Sequence, residues 1–335
     1  MDILNFIFSA LKQGVIYAPL ALGAFIAFNV LKISDLTLDG SFVFGMTVCA
    51  VITIKGFPVL AIFAGMAAGA LAGLVTGLLQ TKLKINRLLS GILTMTALYT
   101  VNFAVLGGQA NKYLQAIDPE TKIPRTSATV FDPFRLLFRS LLGAGEGAPR
   151  NVSMLVNNLA PFVLCAIVTV VTVTALALFF KTKTGLSVRA VGDNEDMVRS
   201  SSINSDKMRI IGLMISNALV ALSGSMLCQQ QSFADLTSGT GMLIAGLAAV
   251  IVGQAVFGAA SGRMTGSLIA AIAGSVIYWI IIQLAYRIDM PSYFVKAISA
   301  LIVVISLSVP TIREKLGLLK VRRGSGKGAK NELES

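Results

Sequence analysis

Apolar runs close to the length of a membrane-crossing helix recur along this chain, and no other feature limits its fold as strongly. An α-helix needs about 20 mostly apolar residues to cross the hydrocarbon core of a bilayer. Because 55% of the 335 residues are hydrophobic and only 13% are charged, the chain is too apolar for a soluble domain. We predict an all-α, polytopic membrane protein with about nine spans (roughly 8–10), at 13–31, 40–54, 58–80, 88–107, 155–180, 208–229, 241–260, 264–286 and 293–310.

Basic residues cluster in three blocks beside these runs and predict the orientation of the chain. The blocks lie at Lys82, Lys84 and Arg87, at 181–209, and from Arg313 to Lys330. Cytoplasmic loops carry an excess of Lys and Arg, so we assign all three blocks to the cytoplasm. Nine spans then place the N-terminus outside and the C-terminus in the cytoplasm. The 108–154 segment becomes external although it carries six basic and four acidic residues, because long loops follow the charge rule poorly.

The chain divides into a transmembrane domain and a tail. We assign residues 1–310 to the transmembrane domain, with 108–154 as an external loop that contains a short helix near 131–141, and 181–207 as a cytoplasmic region. The basic, Gly-rich tail, 311–335, is expected to be cytoplasmic and disordered. The start, MDILNFIFSALKQG, has neither a basic n-region nor a small-residue cleavage site, which predicts a retained short helix.

Composition excludes several classes of function. The chain has no histidine, which rules out His-based triads, HExxH metal sites and imidazole proton relays. Cys49, Cys165 and Cys228 lie in or at the ends of apolar runs without metal-ligand spacing. The GSGKG of the tail lacks the first Gly and the final Ser or Thr of a phosphate loop. We therefore predict no catalytic residue, no metal and no cofactor. The net charge is +12, but the basic residues lie in short blocks beside the spans, so the charge does not indicate nucleic-acid binding.

Small residues recur every four positions in two of the runs, which places each set on one helix face where another helix can approach closely. The first set is Gly65, Gly69, Gly73 and Gly77, and the second is Gly262, Gly266, Ala270 and Gly274. On the predicted topology, the helix with the first set runs from outside to inside and the helix with the second set runs from inside to outside. This indicates an inverted repeat of the kind that frames a transport pathway. Two short segments, 40–54 and 241–253, predict broken or re-entrant helices, since 15 residues span only about 22 Å. The alternative is that the glycines only tighten packing.

Polar residues within or beside the spans are candidates for a pathway through the membrane. They are Asp39, Ser41, Ser90, Thr94, Thr96 and Asn102. Asp39 begins a helix and is followed by Gly40, so its simplest interpretation is an N-cap, with a role in binding or gating a solute as the alternative. Serine and threonine in a membrane helix often bond to their own or neighbouring backbone instead.

A long polar, charge-mixed connection, TKTGLSVRAVGDNEDMVRSSSINSD, occupies residues 182–206. Membrane helices exchange force with a soluble protein only through what they expose at the surface, and a connection of this length is usually functional or disordered. We expect a soluble partner to dock here and to drive the chain. The alternative is a solvated loop, because charge-mixed loops are common between spans.

The stretch from Gly192 to Leu227 resembles the cytoplasmic coupling segment and following helix of permease subunits from ABC importers of the branched-chain amino acid and ribose type. The pattern is G-x-N-E, an Arg, then S-x-I-N, which here reads Gly192, Asn194, Glu195, Arg199, Ser201, Ile203 and Asn204. DLTLDGSF at 35–42 and INRLLSGILTMTALYTVN at 85–102 are similar to the branch encoded with a lipoprotein-type binding protein, which includes systems proposed to import tryptophan. The resemblance covers nearly the whole chain, with 108–154 the least matched.

This resemblance implies a fold like that of type II ABC importers and a homodimer of permeases in the bacterial cytoplasmic (inner) membrane. It implies two ATP-binding cassette subunits on the cytoplasmic face and an external solute-binding (lipo)protein. It also implies that residues 192–203 form a coupling helix that docks into the ATPase. The helix start suits capping and acidic residues, namely Asp193, Asn194, Glu195 and Asp196. Met197 and Val198 would be apolar anchors and Arg199 a charged contact.

The solute and the coupling mechanism stay open at this point. An amino acid, and in particular an aromatic one, is the first expectation, since the absence of a strongly charged pair in the spans favours a zwitterionic or neutral solute. A sugar or nucleoside is the second. An ion-coupled secondary transporter would normally carry acidic residues at mid-span. A purely structural scaffold would need no polar path.

Overall fold

Membrane-length helices make up most of the molecule. The structure, a computed structural model, describes residues 2–117, 124–141, 150–257 and 264–288, together with 294, 297–298, 300–302 and 304. Within this part of the chain, eight helical segments are long and apolar enough to cross a membrane, so the prediction of an all-α polytopic protein is confirmed. Most of the ninth predicted span, 293–310, lies outside the described residues, as do Gly262 and the tail at 311–335.

The elements follow the predicted apolar runs. The first part contains α1 (Asp2–Ile16), α2 (Ala18–Phe25), a π-helix (Ile26–Val30), α3 (Thr37–Ile54), α4 (Pro58–Thr81) and α5 (Arg87–Val105). The middle contains β1 (Asn111–Tyr113), β2 (Gln115–Ile117), β3 (Pro124–Thr126), α6 (Phe131–Leu141), α7 (Arg150–Phe179), α8 (Lys183–Asp193) and α9 (Glu195–Ser200). The last part contains α10 (Ser205–Gln231), β4 (Phe233–Asp235), a 3₁₀-helix (Leu236–Gly239), α11 (Met242–Phe257) and α12 (Met264–Arg287). The predicted N-terminal helix and first span join into one span, Asn5–Val30.

Helix α10 packs closely against α4 because small residues line the contact. The four glycines of the first predicted face, Gly65, Gly69, Gly73 and Gly77, lie against Ser225, Ala221, Leu213 and Ile210 of α10, respectively. A Cβ on Gly69 or Gly73 would overlap backbone atoms of α10. Backbones that approach this closely gain van der Waals contact, which drives helix association where lipid removes the hydrophobic effect.

The second glycine face has a different kind of partner. Gly274 of α12 lies against Ala249 and Gly253 of α11, and the backbone of Ala270 lies against the same Gly253. Gly266 is half-buried. The second face therefore packs on the helix that directly precedes it in the chain, whereas the first face packs on the distant α10.

Helices α3 and α11 both begin inside the bundle, and the same sequence, Asp-Leu-Thr, comes before both. At 35–37 it leads directly into α3, and at 235–237 it leads into the 3₁₀-helix that precedes α11. Asp35 Oδ1 accepts from the N–H of Thr37 at 2.9 Å, and Asp235 Oδ1 accepts from the N–H of Thr237 at the same distance. Asp35 also bonds to Asn217, which is near the middle of α10, so α3 starts at mid-bundle. This geometry agrees with the predicted re-entrant segments, although α3 itself is continuous from Thr37 to Ile54.

The two ends of the bundle carry different structures. Helix α5 begins beside α9, where Arg87 pairs with Glu195. It ends shortly before β1, which pairs antiparallel with β4, while β2 pairs with β3. The predicted short helix near 131–141 is α6, which also follows these strands. The α8–α9 region and the strands therefore lie at opposite ends of α5.

Candidate solute cavity and coupling surface

A cavity of about 300 Å³ lies between α3, α5 and the 3₁₀-helix, beside the starts of α3 and α11. We call it the α3–α5 cavity. Its lining consists of Asp39, Gly40 and Val43 from α3, Met95, Thr96, Tyr99 and Asn102 from α5, and Leu236, Gly239 and Thr240. Among the described residues of this wall, Asp39 is the one that carries a charge, and the others are apolar or polar and neutral.

Asp39 connects the two helix starts. Its carboxylate accepts hydrogen bonds from the N–H of Gly241 at 3.1 Å and from the N–H of Leu243 at 2.6 Å. The first N–H groups of a helix lack partners within the helix, and a negative charge is favourable there. The sequence predicts Asp39 as the N-cap of α3, the helix on which it lies. In the structure, Asp39 instead caps α11.

Asn102 and Thr96 also reach the cavity. Asn102 Nδ2 donates to the carbonyl of Gly40 at 3.4 Å, and its Oδ1 accepts from the hydroxyl of Thr47 at 3.3 Å. The hydroxyl of Thr96 donates to the carbonyl of Ile92 in its own helix. Together with Asp39, these are the three predicted pathway residues that line the cavity.

The other three predicted pathway residues lie outside the cavity wall. Ser41 is buried and donates to Asn217 Oδ1 at 2.6 Å. Ser90 donates to the carbonyl of Arg87, and Thr94 donates to the carbonyl of Ser90. All three hydroxyls are thus used in packing, which is the alternative that the sequence left open.

A buried polar network fixes the start of α3. Asn217 Nδ2 donates to Asp35 Oδ2 at 2.8 Å, and Thr37 shares a 2.8 Å hydrogen bond with Thr76 of α4. Asp35 is fully buried, so the hydrogen bonds from Asn217 and Thr37 satisfy its carboxylate inside the bundle. The network joins the connection between α2 and α3 to both α4 and α10.

At the other end of α5, the predicted coupling helix, 192–203, is not one helix. It runs from the end of α8 at Asp193 into the six-residue α9, and the extended backbone of Asn194 separates the two, so the expectation of a single coupling helix is corrected. Asn194 is the N-cap of α9, and its side chain accepts from the N–H of Met197 at 3.0 Å. Asp193 forms an exposed ion pair with Lys32 at 2.9 Å. A Cβ on Gly192 would overlap the carbonyl oxygen of Val30, so glycine lets α8 approach the end of the first span.

Glu195 is the centre of this region. Its carboxylate accepts from Arg199 in its own helix at 3.0 Å, from Arg87 of α5 at 3.1 Å, and from Arg209 of α10. The Arg209 side chain is only 8% exposed, so Glu195 supplies the counter-charge of a largely buried guanidinium. The acid that the sequence assigns to a helix start therefore joins α9 to two membrane helices.

The two predicted apolar anchors differ in exposure. Met197 is 56% exposed, whereas Val198 is 1% exposed and packs inside the chain. Only Met197 is available to a partner, and the interpretation of Val198 as an anchor is corrected. Ile203 is also exposed, and Asn204 caps α10 by accepting from the N–H of Lys207. Asp196 and Ser201 are exposed beside them.

Sequence reasoning missed several residues of both sites. Met95 and Tyr99 line the α3–α5 cavity, and their helical spacing from the predicted Thr96 and Asn102 is the signal that would have included them. From the sequence, Arg87 serves only to indicate the orientation of the chain. No local spacing indicates that it pairs with Glu195, because 108 residues separate the two.

The fold and these two sites define a membrane permease: a helical bundle with a cavity beside re-entrant helix starts and a folded surface region at one end. The profile of the family described as "Branched-chain amino acid transport system / permease component" matches residues 6–307. The chain belongs to this family and is an ABC-type permease.

Curated relatives support the same class. The chain is 35% identical over 311 residues to the tyrosine transport system permease protein of Clostridioides difficile (strain R20291), covering 92% of this chain and 93% of that protein. It is 25% identical over 309 residues to the ribose import permease protein of Escherichia coli (strain K12), covering 91% of this chain and 85% of that protein. No solved structure matches the chain significantly.

Proposed function

We propose that this chain forms the membrane pathway of an importer for an amino acid, and that a separate ATPase drives it through α9. The observation that carries the proposal is the position of Glu195, which connects the surface helix α9 to the first residue of α5. Residues of the same α5 line the α3–α5 cavity. A displacement of α9 is thereby passed to the wall of the cavity through an ion pair and a rigid helix.

The docking surface for the ATPase is apolar. Met197, Leu186 of α8 and Ile203 expose 56%, 54% and 36% of their surface, respectively, among charged neighbours. A partner that buries Met197 would gain the free energy of apolar burial. We place this surface in the cytoplasm, with two ATP-binding subunits acting on a permease homodimer and residues 192–203 as the coupling segment.

A second copy of the chain would close the α3–α5 cavity. Of the residues in the most apolar 18-residue stretch of α5, only 28% are buried. The exposed side of the helix includes Ile92, Tyr99 and Phe103. Packing this side against a partner helix would place the cavity at the centre of a dimer. The strand end of the bundle then faces outward, where an external solute-binding protein delivers the solute across the inner membrane of a bacterium.

An amino acid is our first candidate for the solute because the relative named for tyrosine transport shares 35% identity over 92% of this chain. The cavity wall carries no charge other than Asp39 among the described residues, and Asp39 is engaged in capping α11. Such a wall suits a zwitterionic or neutral solute. A sugar is the second candidate, because the ribose import permease relative matches nearly as much of the chain.

Reconstitution tests this function directly. Proteoliposomes that contain the chain together with its ATP-binding subunit and solute-binding protein should import labelled tyrosine only when ATP is present. Omission of the ATP-binding subunit should abolish uptake. Uptake by the chain alone, driven by a sodium or proton gradient, would instead establish a secondary transporter.

A docking variant tests the proposed contact in the same system. In the proposed complex, the ATPase buries the side chain of Met197. Met197→Asp would place a charge in that apolar contact, which costs several kcal/mol and should weaken ATPase binding by roughly 100-fold. Ser140→Asp adds a charge at an exposed position of α6, at the opposite end of the bundle, and serves as the control. Wild-type ATPase binding by Met197→Asp would exclude α9 as the docking helix.

A further inference from the structure

A second cavity, of about 340 Å³, lies on the other side of the 3₁₀-helix, between α1, α10, α11 and α12. Four aromatic residues line it, namely Tyr17, Tyr278, Trp279 and Tyr286. They include the only tryptophan and three of the six tyrosines of the chain, so we call it the aromatic cavity. No charged side chain lines it among the described residues.

The aromatic rings form a wall inside the bundle. Tyr17 stacks on Trp279 with ring centroids 4.2 Å apart and an interplanar angle of 18°, and Tyr278 meets Trp279 edge-on at 5.6 Å. Tyr17 is 5% exposed and Tyr278 is 1% exposed. Aromatic residues that anchor a protein at the membrane surface face the headgroups. Tyr17 and Tyr278 are instead part of the buried core, and Tyr286, 40% exposed, lies at the edge of the cavity.

Amide groups complete the lining. Gln13, Gln231 and Gln283 reach the aromatic cavity. The side-chain oxygens of Gln13 and Gln231 are buried and have no hydrogen-bond partner within the described part of the chain. A buried acceptor without a donor destabilises the protein, so such atoms are usually satisfied by a ligand, an ion or water.

We propose that the aromatic cavity binds solutes that carry both an aromatic ring and an ammonium group, with aromatic amino acids as the natural class. The solute ring would pack on Trp279 by offset or edge-to-face contact, because Tyr17 already stacks on Trp279 and lies parallel to Phe42. An ammonium group has three donors for the oxygens of Gln13 and Gln231, and the ring faces attract a cation. Neither a sugar nor an aromatic acid without an amine offers both features.

The location assigns this site a place on the import route. Thr240 lines both the aromatic cavity and the α3–α5 cavity, so the segment 236–241 is the partition between them. Gly241 within it adopts φ +88° with open space around it, a conformation that favours glycine. This place on the route rests on the proposed function, but binding itself requires neither the ATPase nor turnover.

Fluorescence of Trp279 provides a direct test, because no other tryptophan contributes to the signal of the purified chain. The probes are L-tyrosine, tyramine and 3-(4-hydroxyphenyl)propionate, with excitation at the red edge, where phenols do not absorb. We expect L-tyrosine and tyramine to change the emission saturably and the propionate to bind roughly tenfold more weakly or worse. Equal binding of the propionate, or no response to either amine, would overturn the proposal.

Amide variants locate the ammonium group. Gln231→Met and Gln13→Met should each raise the Kd for tyramine roughly tenfold. The side-chain oxygen of Gln230 is also buried without a partner in the described part of the chain, but Gln230 does not line the cavity, so Gln230→Met should leave the Kd unchanged. Two separate lining variants keep the test decisive if one fails to fold, and wild-type affinity in a folded lining variant overturns the proposal.

ATP-dependent uptake without a Trp279 fluorescence response would contradict only the aromatic site. A Trp279 response without ATP-dependent uptake would contradict only the proposed function.

Discussion

Two carboxylates, Asp39 and Glu195, hold together parts of the chain that are distant in sequence. Asp39 bonds to backbone groups of α11 that lie 202 and 204 residues further along. Glu195 bonds to Arg87 and Arg209, which belong to different membrane helices. In both cases one acidic side chain satisfies several donors, and its removal leaves more than one group without a partner.

Replacement of Asp39 by Asn tests the cap on α11. One carboxylate oxygen becomes an amide nitrogen, so the N–H of either Gly241 or Leu243 loses its acceptor. The loss should cost about 1–3 kcal/mol and lower the Tm of the purified chain by several degrees. Asp196→Asn, which changes an exposed acid in α9, is the matched control. Equal Tm values for Asp39→Asn and the wild type would show that the cap does not stabilise the fold.

Local chemistry predicts the type of these residues better than their partners. The sequence predicts Asp39, Asn194 and Glu195 at helix starts, and Asn194 does cap α9. The partner of Asp39 is set by packing of α3 against the 3₁₀-helix, where Gly239 lies against Val43. Sequence spacing carries no information about that contact, because the two segments meet only in the folded bundle.

At the scale of elements, apolar runs predict helices well and the depth of their ends poorly. Helices α4, α5 and α12 begin or end within about two residues of the predicted bounds. The short runs indicated re-entrant segments, but the mid-bundle start of α3 is visible only through the bond between Asp35 and Asn217. Likewise, the four-residue spacing of glycines predicts a contact face, whereas its partner α10 depends on tertiary packing.

Replacement of Gly69 by Leu tests the contact between α4 and α10. The side chain would collide with Ala221 and with the backbone of Asn217, so the helices must separate. Overpacking of this kind costs about 1–3 kcal/mol or more and should reduce the yield of monodisperse protein on size-exclusion chromatography. Ala67→Leu adds similar bulk on the exposed side of α4 and should preserve the yield. Equal yields for the two variants would contradict the assignment.

At the scale of the whole molecule, the two ends of the bundle must face opposite sides of the membrane. Single cysteines at Ser201, beside α9, and at Gln109, beside β1, occupy exposed positions at these ends. In a background without Cys49, Cys165 and Cys228, an impermeant thiol reagent should label Gln109→Cys from outside intact cells. Ser201→Cys should react only after the cells are opened. Labelling of both positions from outside would contradict the proposed orientation.

The ratio of solute imported to ATP hydrolysed tests whether α9 moves α5 through Glu195. Glu195→Gln keeps the size of the side chain but removes the charge that joins Arg87 and Arg209. Because Met197 stays in place, the ATPase should still bind and hydrolyse ATP. Import per ATP should fall by roughly tenfold or more, because Arg87 loses its link to α9 and the largely buried Arg209 loses its counter-charge. With Asp196→Asn as the control, a wild-type ratio in a folded, ATPase-bound Glu195→Gln permease would contradict the account.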